Sequence, residues 1–200
     1  ELEDKISDSD KESLLKDTSQ IIKECSFVYK RQIEMLGLGH AILVSEPLIG
    51  NEPFAVILPD DLCLGSDLSV IGQMTKLYDA HQCSIVAIEE VPMENTHRYG
   101  VIAGEEESQG IFRISDMVEK PSAEVAPSNL AIIGRYVLTP DIFSILKETP
   151  PGKNGEIQIT DALLTQAKRG RVIGYRFKGQ RFDCGSVDGF MEATKFVYSE

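Results

Sequence analysis

The chain has 200 residues, 42% of them apolar and 26% charged. That is room for one domain, and it rules out a disordered tail, a collagen-like chain or a small disulfide-stapled fold. Its 32 acidic against 20 basic residues give a net charge of −12, which argues against nucleic-acid duplexes and anionic membranes as main partners, since both are held by Lys and Arg. The first residues, Glu1-Leu2-Glu3-Asp4-Lys5, lack the basic and apolar regions of a signal peptide. No stretch approaches the roughly 20 apolar residues of a membrane span. None of Cys25, Cys63, Cys83 and Cys184 sits in a C-x-x-C pair, so the pattern predicts buried, reduced thiols of a cytoplasmic protein rather than a zinc or redox motif.

Ser9-Asp10-Lys11-Glu12 forms a capping box, and Leu14, Leu15, Thr18, Ile21, Ile22 and Cys25 follow at helical spacing. Cys25 to Lys30 alternates as a short strand, Gln32 to Gly39 reads as a loop, and Leu38 to Ser45 as a short helix. Phe54-Ala55-Val56-Ile57-Leu58, bounded by Pro53 and Pro59, has the continuous apolar character of a central parallel strand covered on both faces. Asp67 to His81 is an amphipathic helix with Leu68, Ile71, Met74, Leu77 and Tyr78 on its inner face. Ser84 to Ile88 is a second apolar strand, and this order predicts a right-handed βαβ unit. Tyr99 to Ala103, Ile111 to Lys120 and Leu130 to Leu138 read as further strands. Glu105-Glu106-Glu107 reads as a solvated loop. A short helix begins at Pro140 and Asp141. Helices over 159–168 and 186–198 flank a strand over 171–177. The sum is an α/β sandwich, parallel in its first part and antiparallel later.

Ligands of open α/β sheets bind beyond the carboxyl ends of the strands. Asp60 stands there and suits a hard cation such as Mg²⁺; it is equally a common turn residue. Glu119-Lys120 ends another strand and offers a sugar-hydroxyl acceptor beside a point-charge phosphate ligand, or simply a surface pair. Asp183 precedes the last helix as a second metal ligand or as a cap. Gly37-Leu38-Gly39-His40 opens a helix where the backbone can approach a ligand closely, with His40 as a helix contact rather than a base. No hydrolase motif of the G-x-S-x-G or H-E-x-x-H kind is present.

Together these segments resemble the sugar-nucleotide pyrophosphorylases, and within them the uridylyltransferases that act on glucose 1-phosphate. The resemblance rests on Arg31-Gln32, Gly37-Leu38-Gly39-His40-Ala41, Phe54 through Asp61, Val118-Glu119-Lys120-Pro121, Ala126 through Tyr136, Gly155-Glu156-Ile157-Gln158-Ile159-Thr160-Asp161 and Asp183-Cys184-Gly185. It implies a Rossmann-like nucleotidyltransferase fold, three layers α/β/α around a mixed, mostly parallel sheet. It also implies an enzyme that makes UDP-glucose and pyrophosphate from UTP and glucose 1-phosphate with Mg²⁺, homo-oligomeric in its full-length form. Gln32 and the Gly37 backbone would read the uracil edge, and Asp60 and Asp183 would hold the metal. Gly100, Glu119, Asp61 and the Ile132 backbone would contact glucose, and Lys120 would bind the sugar phosphate. The family's G-x-G-T-R loop has no counterpart in the 200 residues. The resemblance therefore implies one domain over residues 1–200 that lacks the first strand and triphosphate loop and is inactive alone. The alternatives are a pyrophosphorylase for dTTP or another sugar, and a non-catalytic relative that binds sugar nucleotide.

Overall fold

A computed structural model describes residue 16 and residues 19–199. The chain divides into two compact units, Glu1–Arg31 and Gln32–Glu200. In the first, residues 19–24 are helical, with Gln20 Nε2 donating to Glu24 Oε1 one turn on at 2.9 Å. The capping box at Ser9–Glu12 and the positions Leu14, Leu15 and Thr18 lie outside the described residues. The strand predicted over Cys25–Lys30 is not found; these residues are exposed and in no ladder, and alternation alone does not hold a strand without a paired neighbour.

The second unit contains eight described strands: β1 (Phe54–Ile57), β2 (Asp61–Gly65), β3 (Ser84–Glu90), β4 (Gly100–Ser108), β5 (Ile111–Glu119), β6 (Leu130–Leu138), β7 (Val172–Arg176) and β8 (Gly179–Asp183). Its helices are α1 (Gly37–Val44), α2 (Glu46–Ile49), α3 (Val70–His81), α4 (Ile142–Glu148), α5 (Ile159–Ala167) and α6 (Val187–Ser199). Six strands form a mixed sheet in the order β1-β6-β3-β7-β5-β4, and β2 and β8 form a separate two-stranded ladder. The start of β4 also pairs with the start of β6, so pairing runs in a circuit from β6 through β3, β7, β5 and β4 back to β6.

The expected three layers are present, and β3 shows how they arise. Successive residues of a strand point to opposite faces. Val86 and Ile88 join a core with Ile42 of α1, Phe143 and Leu146 of α4 and Leu163 of α5. Ile85 and Ala87 join the second core with Val70 and Met74 of α3. The Ser69 hydroxyl caps α3 by accepting from the Gly72 N–H at 3.1 Å.

Three expectations change. First, β1 is an edge strand among the described residues, not a central one. It pairs only with β6 and antiparallel. Phe54 and Val56 are half-buried, with Phe54 stacked on Phe143 at 5.1 Å, while Ile57 is 57% exposed. An unbroken apolar run becomes a doubly covered strand only where both faces have cover, and here α4 covers one. Second, β1 and β3 do run the same way, but each does so by pairing antiparallel with the intervening β6. Among the described strands only β3 with β7 is a parallel ladder, so the sheet expected to be mostly parallel is mixed but mostly antiparallel in its pairings. Third, Glu105–Glu107 lies within β4, laddered antiparallel with β5, where Arg113 on the paired strand also bridges Glu105 and Glu107 at 3.2 and 2.9 Å. All four cysteines are free, but only Cys83 is buried and Cys25 is exposed. No helix among the described residues is long and apolar enough to cross a membrane.

Leu138 is fully buried between β1 and the helices. Leu138→Ala is therefore expected to lower unfolding free energy by about 2–5 kcal/mol. Ser69→Ala removes only the cap of α3 and should cost about 1 kcal/mol. Denaturant titration of both variants checks the contrast.

Candidate active site

The loop after β1 turns at Pro59 and delivers two carboxylates, Asp60 and Asp61. Asp61 begins β2, whose register places it directly opposite Asp183 of β8. Two like charges across a ladder repel, and Arg181 removes the conflict. It stands two residues before Asp183 on the same strand face. Its Nε donates to Asp61 Oδ1 at 2.5 Å, and its Nη1 to Glu89 Oε2 at 3.3 Å. Its Nη2 lies 3.7 Å from Asp183 Oδ2, and its guanidinium lies over the Tyr99 ring at 5.1 Å. Only 6% of this side chain is exposed. Burial opposes its charge, but the Tyr99 hydroxyl and Asp61 more than offset that and hold the cation. Burial raises the Glu89 carboxyl, and Arg181 counters it.

Both Asp61 oxygens are engaged, since Oδ2 accepts from the Gly134 N–H at 2.6 Å. A Cβ on Gly134 would lie 2.6 Å from that oxygen, so glycine is what lets the carboxylate reach the backbone. Arg135 fastens the same turn by donating to the Leu58 and Asp61 carbonyls. Both oxygens of the Asp61 carboxylate are thus held by the protein, and the residue is one of those that line the cavity.

Asp60 and Asp183 are different. Asp183 Oδ2 accepts from Arg98 Nη2 at 2.6 Å and from the Tyr99 hydroxyl at 2.7 Å, and Oδ1 accepts from the Gly185 N–H at 3.2 Å. Burial would raise this carboxyl, but Tyr99, Arg181, Arg98 and the Gly185 N–H together hold it below the usual range. The Asp60 carboxylate has no bonded partner among the described residues, while its carbonyl accepts from the Cys184 N–H at 2.7 Å. A Cβ on Gly185 would lie 3.1 Å from Asp183 Oδ1 and 3.4 Å from Asp60 Oδ2, so the two carboxylates border one small volume. No cluster of three or more His, Cys, Asp or Glu suited to a metal exists among the described residues. Two hard oxygen donors with room for ligand oxygens fit Mg²⁺, which takes one or two carboxylates and completes its shell with water and phosphate.

These carboxylates line a cavity of about 430 Å³, shared with Gly100, Glu119, Lys120 and Ile132. Opposite residues of the β4–β5 ladder are Gly100 and Glu119. The missing side chain at Gly100 lets the Glu119 carboxylate lean across, where Oε2 accepts from the Thr160 hydroxyl at 2.6 Å. A Cβ at position 100 would lie 2.9 Å from that hydroxyl and 3.2 Å from Oε2. Lys120 adopts a left-handed backbone, φ 47°, fixed by its N–H on the Tyr99 carbonyl at 2.9 Å. Its Nζ stays mostly exposed, 3.8 Å from Glu119 Oε1. Gln32 and Gly37 do not line the cavity. They stand at the start of α1, which is tied to the cavity wall through two backbone bonds, Gly39 N–H to Ile157 O and Ile157 N–H to Leu36 O.

Sequence reasoning missed Arg98, Tyr99, Thr160 and Arg181. Thr160 lay inside a recognised segment, and Arg181 sits two residues from Asp183, but β2 and β8 were not anticipated, so their cross-strand partners were not either. Among the described residues the cavity holds no activated nucleophile: burial raises the Tyr136 hydroxyl, and nearby Cys63 is pushed up to about 11 by burial. The arrangement can gather anions around carboxylate-bound cation and lysine.

Arg181→Gln strips the cation from three carboxylates and is expected to cost about 3–5 kcal/mol in denaturant unfolding; a loss under about 1 kcal/mol would mean the cluster is not coupled. Because the Asp183 carboxyl is lowered, its stabilisation is complete above the ordinary carboxylate range and is lost as pH falls through its own pKa. Tyr99→Phe removes one donor, so acid unfolding followed by circular dichroism should begin at higher pH than in the unsubstituted chain.

Residues 4–200 match the family model described as nucleotidyl transferase. A UTP–glucose-1-phosphate uridylyltransferase of Pseudomonas aeruginosa PAO1 is 62% identical over 199 residues, 99% of this chain and 71% of that protein. A second from Staphylococcus saprophyticus is 42% identical over 194 residues, 97% of this chain and 67% of that protein. Among solved structures, a UDP-glucose pyrophosphorylase complexed with UDP-glucose superposes with a TM-score of 0.92 at 63% identity, covering 96% of this chain and 74% of that one. A UTP-bound UGPase from Acinetobacter baumannii superposes at 0.84 with 34% identity, covering 98% of this chain and 68% of that one. With the family model spanning residues 4–200 and relatives at 62% and 42% identity covered to two thirds or more of their length, this chain belongs to the nucleotidyl transferase family.

Proposed function

We propose that this chain carries the metal-binding and sugar-binding residues of an enzyme that transfers a uridylyl group from UTP to glucose 1-phosphate, giving UDP-glucose and pyrophosphate. The observation that carries the reading is one cavity in which the Asp60–Asp183 pair stands with Lys120 and Glu119. The names of the close relatives support the same substrates. A phosphate oxygen of glucose 1-phosphate forms a bond to the α-phosphorus of UTP, and the bond from that phosphorus to the bridging oxygen of pyrophosphate breaks. The attacking phosphate has a second pKa near ~6 and is largely ionised at neutral pH, so no general base is needed. This accounts for a site with carboxylates and a lysine but no nucleophile–base pair.

In this reading Lys120, which lines the cavity with its backbone fixed in the left-handed conformation, holds the sugar phosphate. Glu119, oriented by Thr160, accepts from sugar hydroxyls, with Gly100 and the Ile132 backbone shaping the wall beside it. Gln32 and Gly37 meet the uracil edge. Asp60 and Asp183 hold Mg²⁺, which when bound neutralises charge on the transferred phosphate and the leaving group. The net charge of −12 repels anionic substrates at distance, so Lys120 and the metal carboxylates must capture them locally. Four free cysteines suit a reducing compartment, and we place the reaction in the cytoplasm.

Calorimetric titration with UDP-glucose, with and without Mg²⁺, tests the reading. Binding should strengthen with Mg²⁺ and return to the metal-free value with chelator, and Asp60→Asn should abolish that difference. Lys120→Ala should raise the Michaelis constant for glucose 1-phosphate by about tenfold or more and that for UTP by less than about threefold; equal effects on both would remove Lys120 from the sugar phosphate. Turnover of UTP compared with dTTP separates the uridylyl from the thymidylyl reaction.

A further inference from the structure

Both hydrogens of the Gln32 side-chain amide are committed inside the protein. Nε2 donates to the Gly37 carbonyl at 3.1 Å and lies 2.9 Å from His40 Nδ1. A carbonyl oxygen only accepts, so the group facing Gly37 is the NH₂ and not the amide oxygen. The NH₂ offers only hydrogens, so His40 Nδ1 must accept, and the imidazole carries its proton on Nε2. Gly37 and His40 are three apart on α1, neighbours on the helix surface, and the amide bridges the two. Two consequences follow. The Oε1 atom is the one part of the amide left for a ligand, and no described residue donates to it. The Gly37 N–H, first of the orphan donors of α1, is likewise free of any described partner.

The start of α1 therefore offers an acceptor and a donor of fixed sense. Uracil and thymine present a ring N–H beside a carbonyl oxygen, which answers that pair. Cytosine presents a bare ring nitrogen beside an amino group, which opposes it at both positions. We propose that His40 is a positioning residue for base selection: by accepting from Nε2 it holds the Gln32 amide with its oxygen outward, so the site takes a base edge with a ring N–H and refuses one without. This rests on the reading that Gln32 and Gly37 meet the base. Without His40 the amide keeps one anchor and can turn, offering an N–H to cytosine.

The test has two arms. Imidazole ¹⁵N spectra of the ligand-free protein should show His40 Nδ1 unprotonated, with Gln32→Leu releasing a mixture of tautomers. Titration with UDP-glucose and CDP-glucose should show a preference for the first that falls roughly tenfold in His40→Leu and is largely kept in His40→Gln, whose side-chain oxygen can accept in place of Nδ1. A simple packing role would weaken both ligands equally and leave the ratio unmoved. A protonated Nδ1, or an unchanged ratio in His40→Leu, overturns the inference alone. Failure of the unsubstituted protein to bind UDP-glucose overturns the functional reading and base selection with it.

Discussion

One buried guanidinium organises the site. Arg181 faces Asp61, Glu89 and Asp183 at once, and those carboxylates come from the β2–β8 ladder and the end of β3. Removing a charge from water is costly, and the cost is offset only when geometry and further hydrogen bonds are good. Here Tyr99 lies under the cation and bonds to Asp183, Arg98 adds a second charge, and the Gly134 N–H completes Asp61. The arrangement keeps Asp183 ionised while leaving Asp60, its neighbour across Gly185, with an unengaged carboxylate. Carboxylates that would repel one another in a small volume are thereby given separate partners, with Asp61 and Asp183 each bonded by their own donors.

The start of β4 shows the same logic without charge. Gly100 is needed for what it lacks, because Glu119 and Thr160 fill the space a side chain would take. Lys120 is held in a left-handed conformation that ordinary residues avoid, a strain of about 1–3 kcal/mol, and the Tyr99 carbonyl fixes it there. The strand pairing between Gly100 and Glu119 and the helix start at Thr160 thus supply one wall, while the β2–β8 ladder supplies the other.

Much of this was legible in the residues. Strands β3, β5 and β6 and helix α3 announce themselves by apolar period and caps, and Asp60, Glu119, Lys120 and Asp183 stand at the strand ends where an α/β sheet puts its ligands. The rest was hidden for physical reasons. The run Phe54–Leu58 is as apolar as a central strand, but apolarity does not say how many faces are covered. Strands β2 and β8 are short and mixed in polarity, so their pairing shows only in three dimensions. Arg181 reads as a surface cation until the register sets it among carboxylates 92 and 120 residues away in the chain. His40 and Thr160 lie within segments that carry the resemblance, but their side-chain partners, Gln32 and Glu119, show only in the fold.

The bond from the Cys184 N–H to the Asp60 carbonyl, with the Asp61–Asp183 register beside it, fastens the Asp60 and Asp183 segments to each other through the backbone. Their separation is therefore set by a local staple and not by the path of the chain that joins them. Lengthening a connecting loop adds little closure entropy, about 0.6 kcal/mol for each doubling. The connections between Gly65 and Gly179 are thus free to gain or lose residues over evolutionary time, at the hairpin tip of β4 and β5 or around Pro150, without changing the spacing of the pair. The spacing of the two carboxylates and the length of those loops are thus mechanically independent.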